Sequence, residues 1–232
     1  PNMSQDDLKH LFVSAIFHDF EPDKSTDKPN EENVLRNLQI DTILKELILD
    51  AGVDFEIIKA LIHRTTYPWT GQLKHNAENA IQKCFDSSEI TRGKPEKQEH
   101  YMWLGWILSI IDRTSSYVTG DFSKAMHVAK MNSHALAWHP NVLIQRSVTY
   151  FEEMVKNESE IHGMVLNCLP NEMQKNFKTT VQKFTELRNK EIQIKNNFEN
   201  KNLKFTVKME SSKTKKNHEF TNTLHDIYLE LP

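Results

Sequence analysis

Apolar residues recur at intervals of three and four along most of this chain, which is the spacing of one helix face. Ser4 and Asp7 resemble a capping box at the start of the first such segment, and its apolar stripe ends at His18. The stripe consists of Leu8, Leu11, Phe12, Ala15 and Ile16. Further helices are predicted at about 30–39, 41–51, 54–66, 72–85, 98–117, 121–138 and 141–158, and a long one starts near Pro170.

The segments between these helices are polar. Residues 20–30 contain two prolines and five charges and are predicted to form a loop, and residues 86–97 form a polar connection. From about residue 200 the helical pattern weakens, and residues 203–209 alternate as a strand would. We therefore predict an all-α bundle of about eight to ten helices over residues 1–200. Residues 201–232 are predicted to be a less regular appendage, a loop or a short strand or helix packed on the domain.

Composition supports this fold class. The 232 residues are 38% apolar and 26% charged, which is enough to bury a core, and six glycines and eight prolines supply little turn chemistry for a many-stranded fold. A net charge of -3 gives no overall attraction to nucleic acid or acidic membranes. The longest apolar run, Trp103 to Ile111, is about half of a membrane span. With no visible signal peptide and two distant cysteines, we expect a cytoplasmic chain with reduced thiols.

Candidate chemistry begins with His18 and Asp19, at the end of the first helix. An imidazole and a carboxylate side by side are competent ligands for a divalent metal. A second candidate is Asp112, which lies in the most hydrophobic helix on the face it shares with Gly105 and Leu108. A carboxylate in such surroundings needs an ionic partner. Two explanations stay open for it, a salt bridge to Arg64 or Arg113, or a metal.

Four segments carry a resemblance to a known family. In chain order they are VSAIFHDFEP (13–22), PNEENVLRNL (29–38), IIKALIHRTTYP (57–68) and ILSIIDRTSSYVTGDFSKAM (107–126). An HD dipeptide ends a helix, an acidic segment follows, a helix ends in a threonine-containing turn, and a distal Asp lies in a hydrophobic helix. Over about residues 8–160 the chain thus resembles the HD-superfamily metal-dependent phosphohydrolases, which implies an HD-domain-like helical bundle.

The resemblance implies a site that hydrolyses a phosphoester, such as a nucleotide or cyclic nucleotide, with a metal-activated water. It implies a divalent metal (Mn, Fe, Zn or Mg) held by His18, Asp19 and Asp112. The catalytic residues would be Asp19, Glu32 and Arg113. Further site residues would be His63 as an extra ligand, Glu31 at the site edge, and Arg64 and Lys24 on the phosphate. His63 is equally explained as a histidine at a helix end. The partner would be a small phosphorylated substrate, not nucleic acid or a membrane.

Two departures from the family pattern support an alternative. The family's first metal histidine precedes the HD pair by a few tens of residues, and only 17 residues precede His18 here. His10 lies eight residues earlier on the same helix, about 12 Å along its axis. Glu21 stands where many family members carry glycine. The alternative is a degenerate, non-catalytic HD domain that binds a nucleotide or partner and serves an upstream domain of a longer signalling protein. A plainer possibility is a helical scaffold in which His18 and Asp112 form a hydrogen-bonded pair.

Overall fold

The computed structural model describes residues 3–20, 31–135 and 139–200. Within these ranges the chain forms ten α-helices and one short 3₁₀ helix, and no strand. The helices are α1 (Gln5–Phe17), α2 (Glu31–Ile40), α3 (Thr42–Asp50), α4 (Phe55–Arg64), α5 (Gly71–Ser87), α6 (Pro95–Val118), α7 (Phe122–Ala135), α8 (Leu143–Asn157), α9 (Ser159–Asn167) and α10 (Asn171–Asn200), with the 3₁₀ helix at Pro140–Val142. The all-α prediction is therefore confirmed. The predicted appendage, residues 201–232, lies outside the described ranges.

Polar caps determine where several helices begin. The capping box of α1 is confirmed, because Asp7 donates its backbone N–H to the Ser4 hydroxyl and accepts from the Ser4 N–H. The side chain of Asp54 caps α4 by accepting hydrogen bonds from the backbone N–H groups of Glu56 and Ile57. Pro95 occupies the first turn of α6, so this helix begins three residues before the predicted start at 98. The polar connection is shorter as a result.

The segment after α8 differs from the prediction. The helix predicted over 141–158 corresponds to α8, which ends at Asn157, but no helix was predicted between it and Pro170, where α9 spans Ser159–Asn167. The residue between them is Glu158, with backbone angles φ -135° and ψ 49°. Neither glycine nor proline marks this break in the sequence.

The chain divides into two compact units at Ile192, inside α10, and the site described below lies in the first unit, residues 1–192.

Helix α4 lies at the centre of the first unit. Its residues Ile57 and Leu61 belong to one core cluster, with residues of α1, α5 and α6. On another face, Ile58 and Ile62 belong to a second cluster, with residues of α2 and α3. All four side chains are fully buried, as expected for a helix that is apolar nearly all round. A third cluster joins the end of α6 to α7, α8, α9 and α10.

The apolar stripe predicted for α1 is wrong in part. Leu11 is buried, but Leu8, Phe12 and Ile16 are 45%, 67% and 55% exposed. The buried polar residues of α1 explain why the predicted apolar face does not point to the core. Asp7 binds His100 of α6, with 2.9 Å from Oδ1 to Nε2. His10 accepts the N–H of Asp54 on Nε2 at 3.0 Å. In α6, Leu104 and Leu108 are fully buried, whereas Trp103 and Trp106 are only half-buried.

Gly105 provides the first prediction. A Cβ at this position of α6 would lie 2.8 Å from Cβ and 2.9 Å from Cγ of Arg64. These atoms belong to the stem of a buried side chain whose guanidinium is stacked on Trp69, so they have little room to move. We expect Gly105→Ala to lower the free energy of unfolding by about 1–3 kcal/mol, measured by urea denaturation. The control is Gly163→Ala in α9, where a Cβ meets nothing within 4 Å and helix propensity should add about 0.5–1 kcal/mol. Equal stability of the two variants would contradict the prediction.

Candidate metal centre

His18 caps the C-terminal end of α1, and its ring is oriented by the helix itself. Its Nδ1 donates to the carbonyl oxygen of Ala15, at 2.8 Å. A carbonyl oxygen only accepts, so Nδ1 carries a hydrogen and Nε2 is the nitrogen available to a ligand. That Nε2 lies 3.2 Å from Oδ1 of Asp112 and 3.4 Å from Oδ2 of Asp19. When Nε2 carries no proton, the ring is therefore in the tautomer that a metal-binding histidine needs.

Three predicted ligands come together in this way. His18, Asp19 and Asp112 each offer one ligand atom, and the three atoms lie within 4.8 Å of one another. Two of them are neighbours at the end of α1, while Asp112 comes from the middle of α6, 94 positions after His18. The Asp19 side chain is 67% exposed and the other two are 26% and 18% exposed, so the cluster opens to solvent on the Asp19 side. One imidazole nitrogen and two carboxylate oxygens could hold a divalent metal and leave it open positions.

The two carboxylates give the site a strong preference for positive charge. Burial by itself would lower the pKa of His18, but the hydrogen bond to Asp112 and the charges of Asp19 and Asp112 raise it to about 9. Without a metal, His18 is therefore an imidazolium at neutral pH. A metal that binds here replaces the proton on Nε2. The same two carboxylates thus stabilise either the proton on Nε2 or a metal ion bound there.

The second oxygen of Asp112 binds Arg113, at 2.7 Å from Oδ2 to Nη1. Arg113 is 3% exposed and all three of its nitrogens are engaged. Its Nε donates to Oε2 of Glu158 at 2.6 Å, and its Nη2 donates to the carbonyl oxygens of Thr65 and Thr66, both at 2.9 Å. Burial acts to lower the pKa of Arg113, but Asp112 and Glu158 raise it. Arg113 therefore holds Asp112 and does not present an open fork to a phosphate.

Arg64, the other candidate for the salt bridge, has different partners. It is 7% exposed, its guanidinium carbon lies 3.8 Å from the centre of the Trp69 ring, and its Nη1 donates to the Ser109 hydroxyl at 3.2 Å. Burial and the nearby charge of Arg113 lower the pKa of Arg64 to about 10, so it stays charged at neutral pH. Arg64 joins the end of α4 to α6 and to the segment that follows α4.

The remaining predicted residues are not members of the three-ligand group that the described residues form. His63 is half-buried in the last turn of α4, and burial together with the charge of Lys59 lowers its pKa to about 4, so the ring is neutral. Glu31 and Glu32 lie in the first turn of α2, where acidic side chains stabilise a helix. Neither these three residues nor the structural His10 joins the group. Lys24 and Glu21 lie outside the described residues.

Sequence reasoning missed Glu158 and the carbonyl oxygens of Thr65 and Thr66, the other partners of Arg113. Glu158 lies in a polar stretch, VKNESEIHG (155–163), and nothing in this stretch marks it as buried. Only the position of α8 and α9 against α6 brings it to Arg113. A hydrogen-bond partner 45 positions away leaves no local signal.

Comparison with protein-family models, curated proteins and solved structures gave no match for this chain. The resemblance to the HD superfamily therefore stays a prediction that rests on the order of four motifs. Among the described helices, none combines the length and the apolar character needed to cross a membrane.

Proposed function

We propose that this chain is a metal-dependent hydrolase of phosphoesters, whose divalent metal is bound by His18, Asp19 and Asp112. The observation that carries the proposal is the convergence of these three donors, two from the end of α1 and one from α6. The mixed nitrogen and oxygen donor set suits Mn, Fe, Zn or Mg. The substrate class that we propose is a small phosphorylated compound, such as a nucleotide or a cyclic nucleotide. Both cysteines are free, in keeping with the cytoplasmic location that we propose.

A divalent metal in this site would lower the pKa of a water molecule and polarise a phosphoryl oxygen. The chain's own residues would supply the rest. The carboxylate of Asp19, at the solvent-exposed edge of the group, would orient an attacking water and accept its proton. His18 keeps its ring fixed through the carbonyl oxygen of Ala15. Arg113 offsets the charge of Asp112 through a direct ion pair.

One observation favours a second candidate, a non-catalytic HD domain that binds a nucleotide or a partner domain. Phosphoryl transfer requires cations that offset the charge developing on the phosphate. The two arginines proposed for this task are buried, and the nitrogens of Arg113 are committed to Asp112, Glu158 and main-chain oxygens. A substrate phosphate would have to be neutralised by the metal or by other residues.

Metal binding tests the proposal. We expect the full chain, purified without a metal-affinity tag, to contain or take up about one equivalent of transition metal, measured by mass spectrometry and by calorimetric titration with Mn²⁺. Asp19→Ala should weaken Mn²⁺ binding at least about 100-fold, because loss of a ligand should exceed the 10–100-fold cost of losing a residue that only orients one. The control is Asp6→Ala, an exposed carboxylate at the other end of α1, which should leave binding unchanged.

The outcomes separate the two candidates. Hydrolysis of bis(p-nitrophenyl) phosphate or a cyclic nucleotide by the Mn²⁺-loaded chain, lost in Asp19→Ala, would support the phosphohydrolase. Mn²⁺ binding without turnover of any phosphoester would favour the non-catalytic domain. A chain that stays metal-free after incubation with Mn²⁺, Fe²⁺, Zn²⁺ and Mg²⁺ would refute the metal site.

A further inference from the structure

Glu158 is a buried carboxylate at the junction of α8 and α9. Its side chain is 2% exposed, and both of its oxygens accept hydrogen bonds. Oε2 accepts from Nε of Arg113 at 2.6 Å, and Oε1 accepts from the backbone N–H of Trp69 at 3.1 Å. Its backbone N–H donates to the carbonyl of Met154 in α8, and its carbonyl accepts from His162 in α9. Glu158 is therefore fixed by both its side chain and its backbone.

The guanidinium of Arg113 connects Glu158 to the candidate metal centre. The guanidinium is planar, so its N–H groups point in fixed relative directions. Nε is held by Glu158, and Nη2 is held by the carbonyl oxygens of Thr65 and Thr66. With two of the three nitrogens fixed, the direction of the third, Nη1, is fixed as well. Nη1 binds Oδ2 of Asp112.

Arg113 thereby gives the two oxygens of Asp112 different roles. Oδ2 is held by Arg113 at 2.7 Å, and Oδ1 faces Nε2 of His18 at 3.2 Å. Asp112 would then bind a metal through Oδ1 alone, in an orientation that its own backbone does not impose. Residues that orient a ligand in this way strongly influence metal affinity.

We infer that Glu158 is a positioning residue of the metal centre, which acts through Arg113 to fix the ligand oxygen of Asp112. This inference rests on the proposed metal site. It assigns to the α8–α9 junction an influence on metal binding, although two of the ligands are the residues that follow α1 and the third lies in α6. Glu158 contacts neither the metal nor a substrate in this assignment.

Glu158→Gln tests the inference. The glutamine amide offers one acceptor oxygen and one NH₂ donor, whereas Arg113 Nε and Trp69 N both approach as donors, so one of the two hydrogen bonds must be lost. Arg113 also loses one of its two anionic partners and is free to shift on Asp112. We expect the Kd for Mn²⁺ to rise about 10–100-fold, measured by calorimetric titration of the full chain.

The matched control is Glu153→Gln, in α8, five residues before Glu158. Glu153 accepts a hydrogen bond from the hydroxyl of Tyr67, so it contacts the same segment after α4, but it lies on the surface and does not bind Arg113. We expect its Kd for Mn²⁺ to stay within about twofold of the unmodified chain. The comparison separates an effect of orienting Asp112 from a general effect of removing a carboxylate from α8.

A second readout excludes a purely structural role. The visible absorption of Co²⁺ depends on the number and geometry of its ligands, and at saturating Co²⁺ it does not depend on the stability of the fold. We expect this spectrum to change in Glu158→Gln and to stay unchanged in Glu153→Gln. Thermal unfolding of the metal-free variants shows that each one is folded at the temperature of the titration.

The outcomes are distinct from those for the proposed function. If the unmodified chain binds neither Mn²⁺ nor Co²⁺, the metal site itself fails and this inference fails with it. If it binds both, and folded Glu158→Gln matches Glu153→Gln in affinity and spectrum, the inference alone is overturned. Should Glu158→Gln not fold, Glu158→Asp takes its place, since it keeps the charge but withdraws the carboxylate from Nε. The same comparison with Glu153→Gln then decides.

Discussion

Replacing Arg113 with methionine is expected to lower the free energy of unfolding by about 3–5 kcal/mol, the cost of leaving a buried charge without its partner. Glu158 would lose its cationic partner in a position where its side chain is 2% exposed. The carbonyl oxygens of Thr65 and Thr66 would lose the donor that reaches them from α6. Methionine keeps much of the volume, so the loss reports the ion pair and hydrogen bonds more than a cavity. Urea denaturation followed by circular dichroism measures the change.

Two further variants control this experiment. Lys74→Met removes a cation from an exposed pair with Glu78, in which both side chains are about half exposed, and should cost less than about 1 kcal/mol. Adding Glu158→Gln to Arg113→Met should recover part of the lost stability, because it removes the unpaired buried charge. A loss below about 1 kcal/mol for Arg113→Met alone would show that Arg113 is not the structural link described above.

Metal binding is expected to weaken steeply as the pH falls, because the metal and a proton compete for Nε2 of His18. The two neighbouring carboxylates raise the pKa of His18 from 6.5 to about 9. Below pH 9 each metal ion must displace one proton, so the apparent Kd should rise about tenfold for each pH unit. Between pH 8.5 and pH 6.0 the expected change is about 300-fold. Titration with Mn²⁺ across this range measures it, and proton release is read from two buffers of different ionisation enthalpy.

In the metal-free chain the same pKa shift affects stability with the opposite sign. The folded-state pKa lies above the unfolded value, so the contribution of the imidazolium is fully present below about pH 6.5 and is lost as the pH rises through about 9.

His63→Gln is the control for metal binding. The pKa of His63 is lowered to about 4, so this ring stays neutral from pH 6.0 to 8.5 and its removal should leave the slope unchanged. A flat profile for the unmodified chain would contradict a site that uses Nε2 of His18.

The helices could be predicted from the sequence because apolar spacing and caps are local properties. Ser4 and Asp7 give the start of α1, whereas the start of α6 was predicted three residues too late, because Pro95 was assigned to the connection before the helix. The end of α8 was predicted within one residue, but α9 was not predicted. It follows directly after Glu158, which is held by a bond to Arg113, a residue distant in sequence. The helix propensity of the local sequence does not depend on such a distant partner.

The orientation of the helices was harder to predict than their positions. In α1 the buried hydrogen bonds of Asp7 and His10 outweigh the apolar stripe, so Phe12 is exposed. At the site, the motif order named three residues that the structure brings together, but it left the partner of Asp112 open. Asp112 binds Arg113 with one oxygen and faces His18 with the other, so the ion-pair explanation holds without excluding the metal.

The candidate metal centre joins parts of the chain that are far apart in sequence. His18 and Asp112 are separated by 94 positions, and Arg113 and Glu158 by 45. Closing such long loops costs entropy before the contact is made, so these contacts form after the local turns of the helices. During refolding, the capacity to take up metal would therefore appear only when α1, α6 and the α8–α9 junction have assembled. In this chain, metal uptake would report that folding is complete, and helix content would not.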